Sequence, residues 1–176
     1  MSPILSVTDL RVSFATDDGV VRAVDRVSFD LNPGEVVAIV GESGCGKSVT
    51  AQTLMGLTRS PNTTISGSVT FGGRDLTHLS DNELRSLRGE HIAMIFQDPM
   101  TSLNPVYRVG DQIAEMIRAH RQVSKKEAVA RAAELLRSVG IPNPERRVRD
   151  YPHEFSGGMR QRVMIAMALA LEPEVL

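Results

Sequence analysis

Gly41-Glu42-Ser43-Gly44-Cys45-Gly46-Lys47-Ser48, or GESGCGKS, is the stretch that decides how this chain folds. It fits G-x-x-x-x-G-K-[ST], a glycine-rich loop that cradles phosphates when a strand precedes it and a helix follows. Both flanks fit. Residues 35–40 (EVVAIV) are a short, nearly continuous apolar run of the kind a fully buried parallel strand shows. Residues 48–57 lack proline and set Val49, Thr53, Leu54 and Leu57 at near-helical spacing.

The chemistry of such a loop is specific. Gly41, Gly44 and Gly46 give the backbone conformations closed to other residues and bring its N–H groups near phosphate oxygens. The following helix turns its positive dipole end toward the same anion. Lys47 can reach β- and γ-phosphates, and the Ser48 hydroxyl is placed to ligate Mg²⁺. Only three of the chain's 20 lysines and arginines are lysine, so a compact ammonium at position 47 is a specific choice. Cys45 reads as a small loop filler rather than a nucleophile.

Composition narrows the class. The chain has 176 residues and 41% hydrophobic content, enough for a sizeable core. A net charge of −1 gives no basic surface for nucleic acid, so no nucleic-acid partner is expected. One cysteine rules out a disulfide framework and fits a reducing compartment. The opening MSPILSVTDL has no basic n-region, so no secretory leader is expected. Residues 163–171, the longest apolar run, fall short of the roughly twenty needed to span a bilayer. The chain is expected to be soluble by itself.

Local signals organise the rest. Leu5, Val7, Leu10, Val12 and Phe14 alternate loosely, Asp17-Asp18-Gly19 marks a turn, and Val21, Ala23, Val27 and Phe29 resume the pattern. Asn32-Pro33-Gly34 is a second turn, and residues 66–71 read as another strand. Ser80 with Glu83, and Ser124 with Glu127, have capping-box spacing. Residues 91–96 (HIAMIF) are a second buried-strand candidate, ended by Gln97-Asp98-Pro99. Helices are expected over 110–121, over 124–139 until Gly140 and Pro142 stop it, and over 156 to about 171. Residues 143–150 read as a polar, arginine-rich loop with solvated charges. His120 reads as a helix-face residue, His153 and Glu154 as shaping a loop, and His78 and His91 have no partners at metal-ligand spacing.

Phe155-Ser156-Gly157-Gly158-Met159-Arg160-Gln161-Arg162 resembles the signature motif of ATP-binding cassette (ABC) ATPases, downstream of the P-loop and of a strand ending in Gln97. The family motif usually has Leu and Gln where Phe155 and Met159 stand. Those departures, with FQDPMTSLNP at 96–105, resemble the branch serving oligopeptide, dipeptide and nickel import. The resemblance implies an α/β P-loop NTPase (RecA-like) core with an N-terminal antiparallel β-subdomain and an inserted helical subdomain. Residues 1–97 would be the core and β-subdomain, 98–155 the helical subdomain, and 156–176 the signature helix with the start of the return to the core.

The same resemblance assigns roles. Gly41, Glu42, Ser43, Gly44, Cys45, Gly46, Lys47, Ser48 and Val49 would surround ATP as the Walker A loop, with Phe14 stacking on adenine or serving simply as a core phenylalanine. Gln97 would be the Q-loop glutamine that contacts Mg²⁺ and the attacking water; Lys47 and Gln97 are the candidate catalytic pair, Ser48 and Gln97 the Mg²⁺ ligands. Ser156, Gly157, Gly158 and Met159 would meet ATP held by a second cassette, paired head to tail as a homo- or heterodimer. Transmembrane permease subunits and an extracytoplasmic binding protein would complete the system, with this subunit at the cytoplasmic face of the membrane.

A hydrolysing cassette also needs a Walker B aspartate and a glutamate to orient water. Neither has a candidate here, so the sequence resembles a cassette cut before its catalytic strand, expected to bind ATP but hydrolyse it poorly or not at all. Two alternatives stay open. One is a non-transport ABC-type ATPase. The other is a small P-loop kinase or GTPase using Asp98, at the end of the 92–96 run, as its Walker B aspartate.

Overall fold

A computed structural model describes residues 2–98 and 102–176. The chain divides into two compact units, Met1–Arg85 and Ser86–Leu176. Pro99, Met100 and Thr101 of the FQDPMTSLNP stretch lie outside the described residues.

In the first unit, β1 (Leu5–Thr16), β2 (Gly19–Leu31), β3 (Thr63–Phe71) and β4 (Arg74–Asp75) form one antiparallel sheet in the order β2-β1-β3-β4. The hairpin closes at Asp17-Asp18, with Thr16 paired to Gly19 and the Thr16 hydroxyl donating to the Gly19 carbonyl at 2.8 Å. Leu5, Val7, Leu10, Val12, Val24, Val69 and Phe71 are buried. Each such side chain contributes roughly 1.5–3 kcal/mol by leaving water.

The loose alternation along β1 has a structural cause. The register slips between Val7 and Leu10, where Asp9 adopts φ 49°, so the inward set shifts by one residue and Leu10 and Val12 stay buried. Gly67 of β3 makes room. A Cβ there would lie 2.4 Å from the Asp9 carbonyl oxygen.

Helix α1 (Lys47–Leu54) follows the glycine loop, and α2 (Asp81–Leu87) opens on the expected box: the Ser80 N–H and hydroxyl donate to the Glu83 carboxylate at 2.8 and 2.7 Å. Arg59 ties the chain after α1 to the turn before α2, donating to the Leu76 and Thr77 carbonyls at 2.7 and 3.0 Å.

The second unit is helical. Helices α3 (Val109–His120), α4 (Lys125–Ser138) and α6 (Gly157–Ala168) enclose a core of Val109, Ile113, Ile117, Ala132, Leu136, Val163 and Ala166. The α4 capping box is present in both directions, and Gly140, at φ +73°, ends that helix.

Three expectations need correction. Residues 35–40 belong to no ladder, and Val36 and Val40 are 93% and 87% exposed. A buried parallel strand needs neighbouring strands, and every strand of four or more described residues belongs to the antiparallel sheet. Residues 91–96 likewise form no strand; Ile92 makes only isolated parallel bridges with Arg88 and Val175. Residues 143–150 are not simply a solvated loop. They contain α5 (Pro144–Arg147), with Pro144 and Val148 buried. Gly110 permits this, since a Cβ there would lie 2.5 Å from the Val148 carbonyl oxygen.

Candidate functional site

In the first unit the site is the turn into α1. Gly44 and Gly46 adopt φ +83° and +92°, which favours glycine. At Gly46 a second demand applies: a Cβ would lie 2.1 Å from the Ala23 carbonyl of β2, a backbone atom that cannot swing away. Gly46 is also the N-cap of α1, with no side-chain cap, and its carbonyl accepts from the Thr50 N–H and hydroxyl at 2.8 and 3.0 Å. The first-turn N–H groups thus have no side-chain acceptor at the N-cap.

Lys47 folds back over the loop. Its ammonium donates to the Gly41 and Glu42 carbonyls at 2.7 and 2.6 Å, with the Cys45 sulfur at 3.5 Å. Positive charge is therefore held above the turn by the backbone it serves. Glu42, Ser43, Gly44, Cys45 and Ser48 are exposed along the same segment, and Val49 is half-buried. Phe14 is half-buried on β1, paired across the sheet with Val21 and Thr63.

In the second unit the residues of the SGG motif start α6. Ser156 is the N-cap, and its hydroxyl accepts from the Met159 N–H at 3.3 Å. Gly157 and Gly158 differ from the loop glycines in kind. Neither has positive φ, and a Cβ on either would meet nothing within 4 Å. The approach is built by a short turn in which the Glu154 carboxylate accepts from the Tyr151 N–H at 2.7 Å. It ends at buried Phe155, over whose ring the Arg147 guanidinium sits at 5.5 Å. Arg162, farther along α6, donates to the Gly140 carbonyl at 2.8 Å. Gln97 is exposed at a bend after residues 91–96, and Asp98 is exposed beside it.

Sequence reasoning located both helix starts but missed their supports. The Ala23 carbonyl beneath Gly46, the Arg147–Phe155 contact and the Arg162–Gly140 bond join positions with no local pattern between them. Among the described residues, no group of three His, Cys, Asp or Glu side chains is placed to hold a metal ion, and no helix is long and apolar enough to cross a membrane.

Comparison with known proteins fits these features. The family profile described as ABC transporter matches residues 24–176. The chain is 54% identical over 177 aligned positions to the dipeptide transport ATP-binding protein DppD of Bacillus subtilis, covering 100% of this chain and 53% of that protein. It is 55% identical to the oligopeptide transport ATP-binding protein OppD of Salmonella typhimurium, covering 98% of this chain and 51% of that one. The chain thus spans about half the length of the curated relatives it matches. Among solved structures, the dimeric post-hydrolysis state of the ATP-binding cassette MJ0796, bound to ADP and Pi, superposes with a TM-score of 0.83. Identity is 27%, over 96% of this chain and 70% of that one.

Proposed function

The chain belongs to the ABC transporter family, and from that premise we propose that it is the nucleotide-binding part of a peptide importer's ATPase. The observation that carries this is the presence, in one chain, of two helices that begin behind glycine-rich motifs, α1 behind GESGCGK and α6 behind SGG, whose N-termini favour an anion. Lys47 and the first-turn N–H groups of α1 would bind the β- and γ-phosphates of ATP, with Ser48 and Gln97 holding Mg²⁺, which screens phosphate charge when bound. The donor set suits that ion, because hydroxyl and amide oxygens are hard ligands.

The open faces of Gly157 and Gly158 support a role in trans. Glycine inside a helix costs about 1 kcal/mol relative to alanine, and nothing in this chain occupies the space a Cβ would take. A phosphate carried by a second cassette, paired head to tail, is the occupant that explains both the glycines and the exposed N–H groups. ATP binding would then close the pair, and closure would drive permease subunits through their conformational change at the cytoplasmic face of the membrane. Peptides are the cargo that the names of the relatives favour. The family match sets aside a kinase or GTPase that uses Asp98 as its Walker B aspartate. Residues 1–176 alone are expected to bind ATP and turn it over poorly.

The test separates the two termini. Lys47→Ala should abolish nucleotide binding. Ser156→Arg should leave binding intact and block hydrolysis by the assembled transporter. Normal hydrolysis in the second variant would remove the trans role of the SGG motif.

A further inference from the structure

The antiparallel sheet carries a hollow of about 380 Å³, with buried Val12 and Val24 in its lining, that the nucleotide reading does not use. Two cross-strand rows build it. Arg22, Ser13 and Thr64 are paired neighbours across β2, β1 and β3, and Arg11 and Ser66 form the adjacent row. Asp25 and Arg26 close one end, where β2 has its own register slip and Arg26 adopts φ 57°. Positive φ in non-glycine residues is strain that persists where surrounding structure holds it, and such strain gathers at working surfaces. The slips dent a surface that would otherwise be a flat ladder.

The charge in the hollow is only partly spoken for. Arg11 pairs with Asp9 at 2.9 Å and with Asp25 at 3.7 Å, and Arg26 pairs with Asp25 at 3.6 Å. Among the described residues Arg22 has no ion pair, and the Ser13, Thr64 and Ser66 hydroxyls have no side-chain hydrogen bond. A guanidinium without an ion pair, lining the same hollow as three hydroxyls without side-chain bonds, offers more donors than a carboxylate can accept and suits a tetrahedral oxyanion. The volume exceeds that of the oxyanion alone. We propose that this hollow is a second anion site, distinct from the GESGCGKS loop, that takes a small phosphorylated molecule through Arg22, Ser13, Thr64 and Ser66.

The test uses the Lys47→Ala chain, which silences the loop, with amide shifts followed during titration by inorganic phosphate and by glycerol phosphate. Shifts should gather at residues 11–13, 22–26 and 64–66, with the ester binding more tightly than inorganic phosphate. Arg22→Ala with Thr64→Val should weaken both by at least about tenfold, while circular dichroism stays unchanged. Shifts confined to residues 41–48, an unchanged titration in the double variant, or an ester no tighter than inorganic phosphate would overturn the proposal.

Discussion

Helices α1 and α6 both begin behind glycines, yet the glycines answer to different demands. At the start of α1 the demand is internal: Gly46 needs φ +92° and room for the Ala23 carbonyl. At the start of α6 it is not, since Gly157 and Gly158 have ordinary helical φ and open space around them. The first loop is shaped by its own fold. The second is not, since nothing in its own chain lies within 4 Å of where a Cβ would stand.

Substitutions can break this contrast, and the largest effect belongs to the internally constrained loop. Gly46→Ala should lower stability by about 2 kcal/mol or more, from a left-handed alanine and the collision with Ala23, and should abolish nucleotide binding. Denaturant titration together with a fluorescent ATP analogue would read both. Lys47→Ala comes next. It removes a charge-assisted contact and should likewise abolish nucleotide binding, with the fold intact by circular dichroism.

At the other terminus the effects are smaller. Ser156→Ala removes the N-cap hydroxyl and should cost about 1 kcal/mol in chemical unfolding, with nucleotide affinity unchanged. If affinity fell as well, the two termini would not be independent.

Acid gives the smallest effect. Glu127 is held below the ordinary glutamate value of 4.5 by the Ser124 hydroxyl and then the Ser124 N–H. A lowered carboxylate stabilises the fold above its ordinary value, and that contribution fades as pH falls through the lowered one. Ser124→Ala should therefore destabilise the chain more at neutral pH than in acid, where Glu127 is protonated and only the N-cap bond from the Glu127 N–H to the Ser124 hydroxyl remains to be lost.

What the sequence made legible was local. The Asp17-Asp18-Gly19 turn, the Ser80–Glu83 and Ser124–Glu127 boxes, the Ser156 cap and the Gly140 stop each depend on residues within a few positions, and each is in place. Apolarity alone misled at residues 35–40, where Val36 and Val40 stand exposed without neighbouring strands. Polarity alone misled at 143–150, where Val148 packs in the helical core because Gly110 has no side chain. The slip at Asp9, the Arg147–Phe155 contact and the His91–Glu174 hydrogen bond of 2.7 Å depend on residues brought together by the fold. No spacing rule announces them. The glycine loop was legible because one segment carries its glycines, Lys47 and Ser48, whereas the open space around Gly157 and Gly158 depends on how the rest of the chain folds.

The most direct test replaces both of those glycines. Gly157→Ala with Gly158→Ala, in the assembled transporter, should leave the unfolding midpoint unchanged or raised, because alanine favours helix, while trapping of ATP between paired cassettes is lost. A lowered midpoint with ATP trapping retained would contradict the account, and would make these glycines a requirement of the chain's own fold.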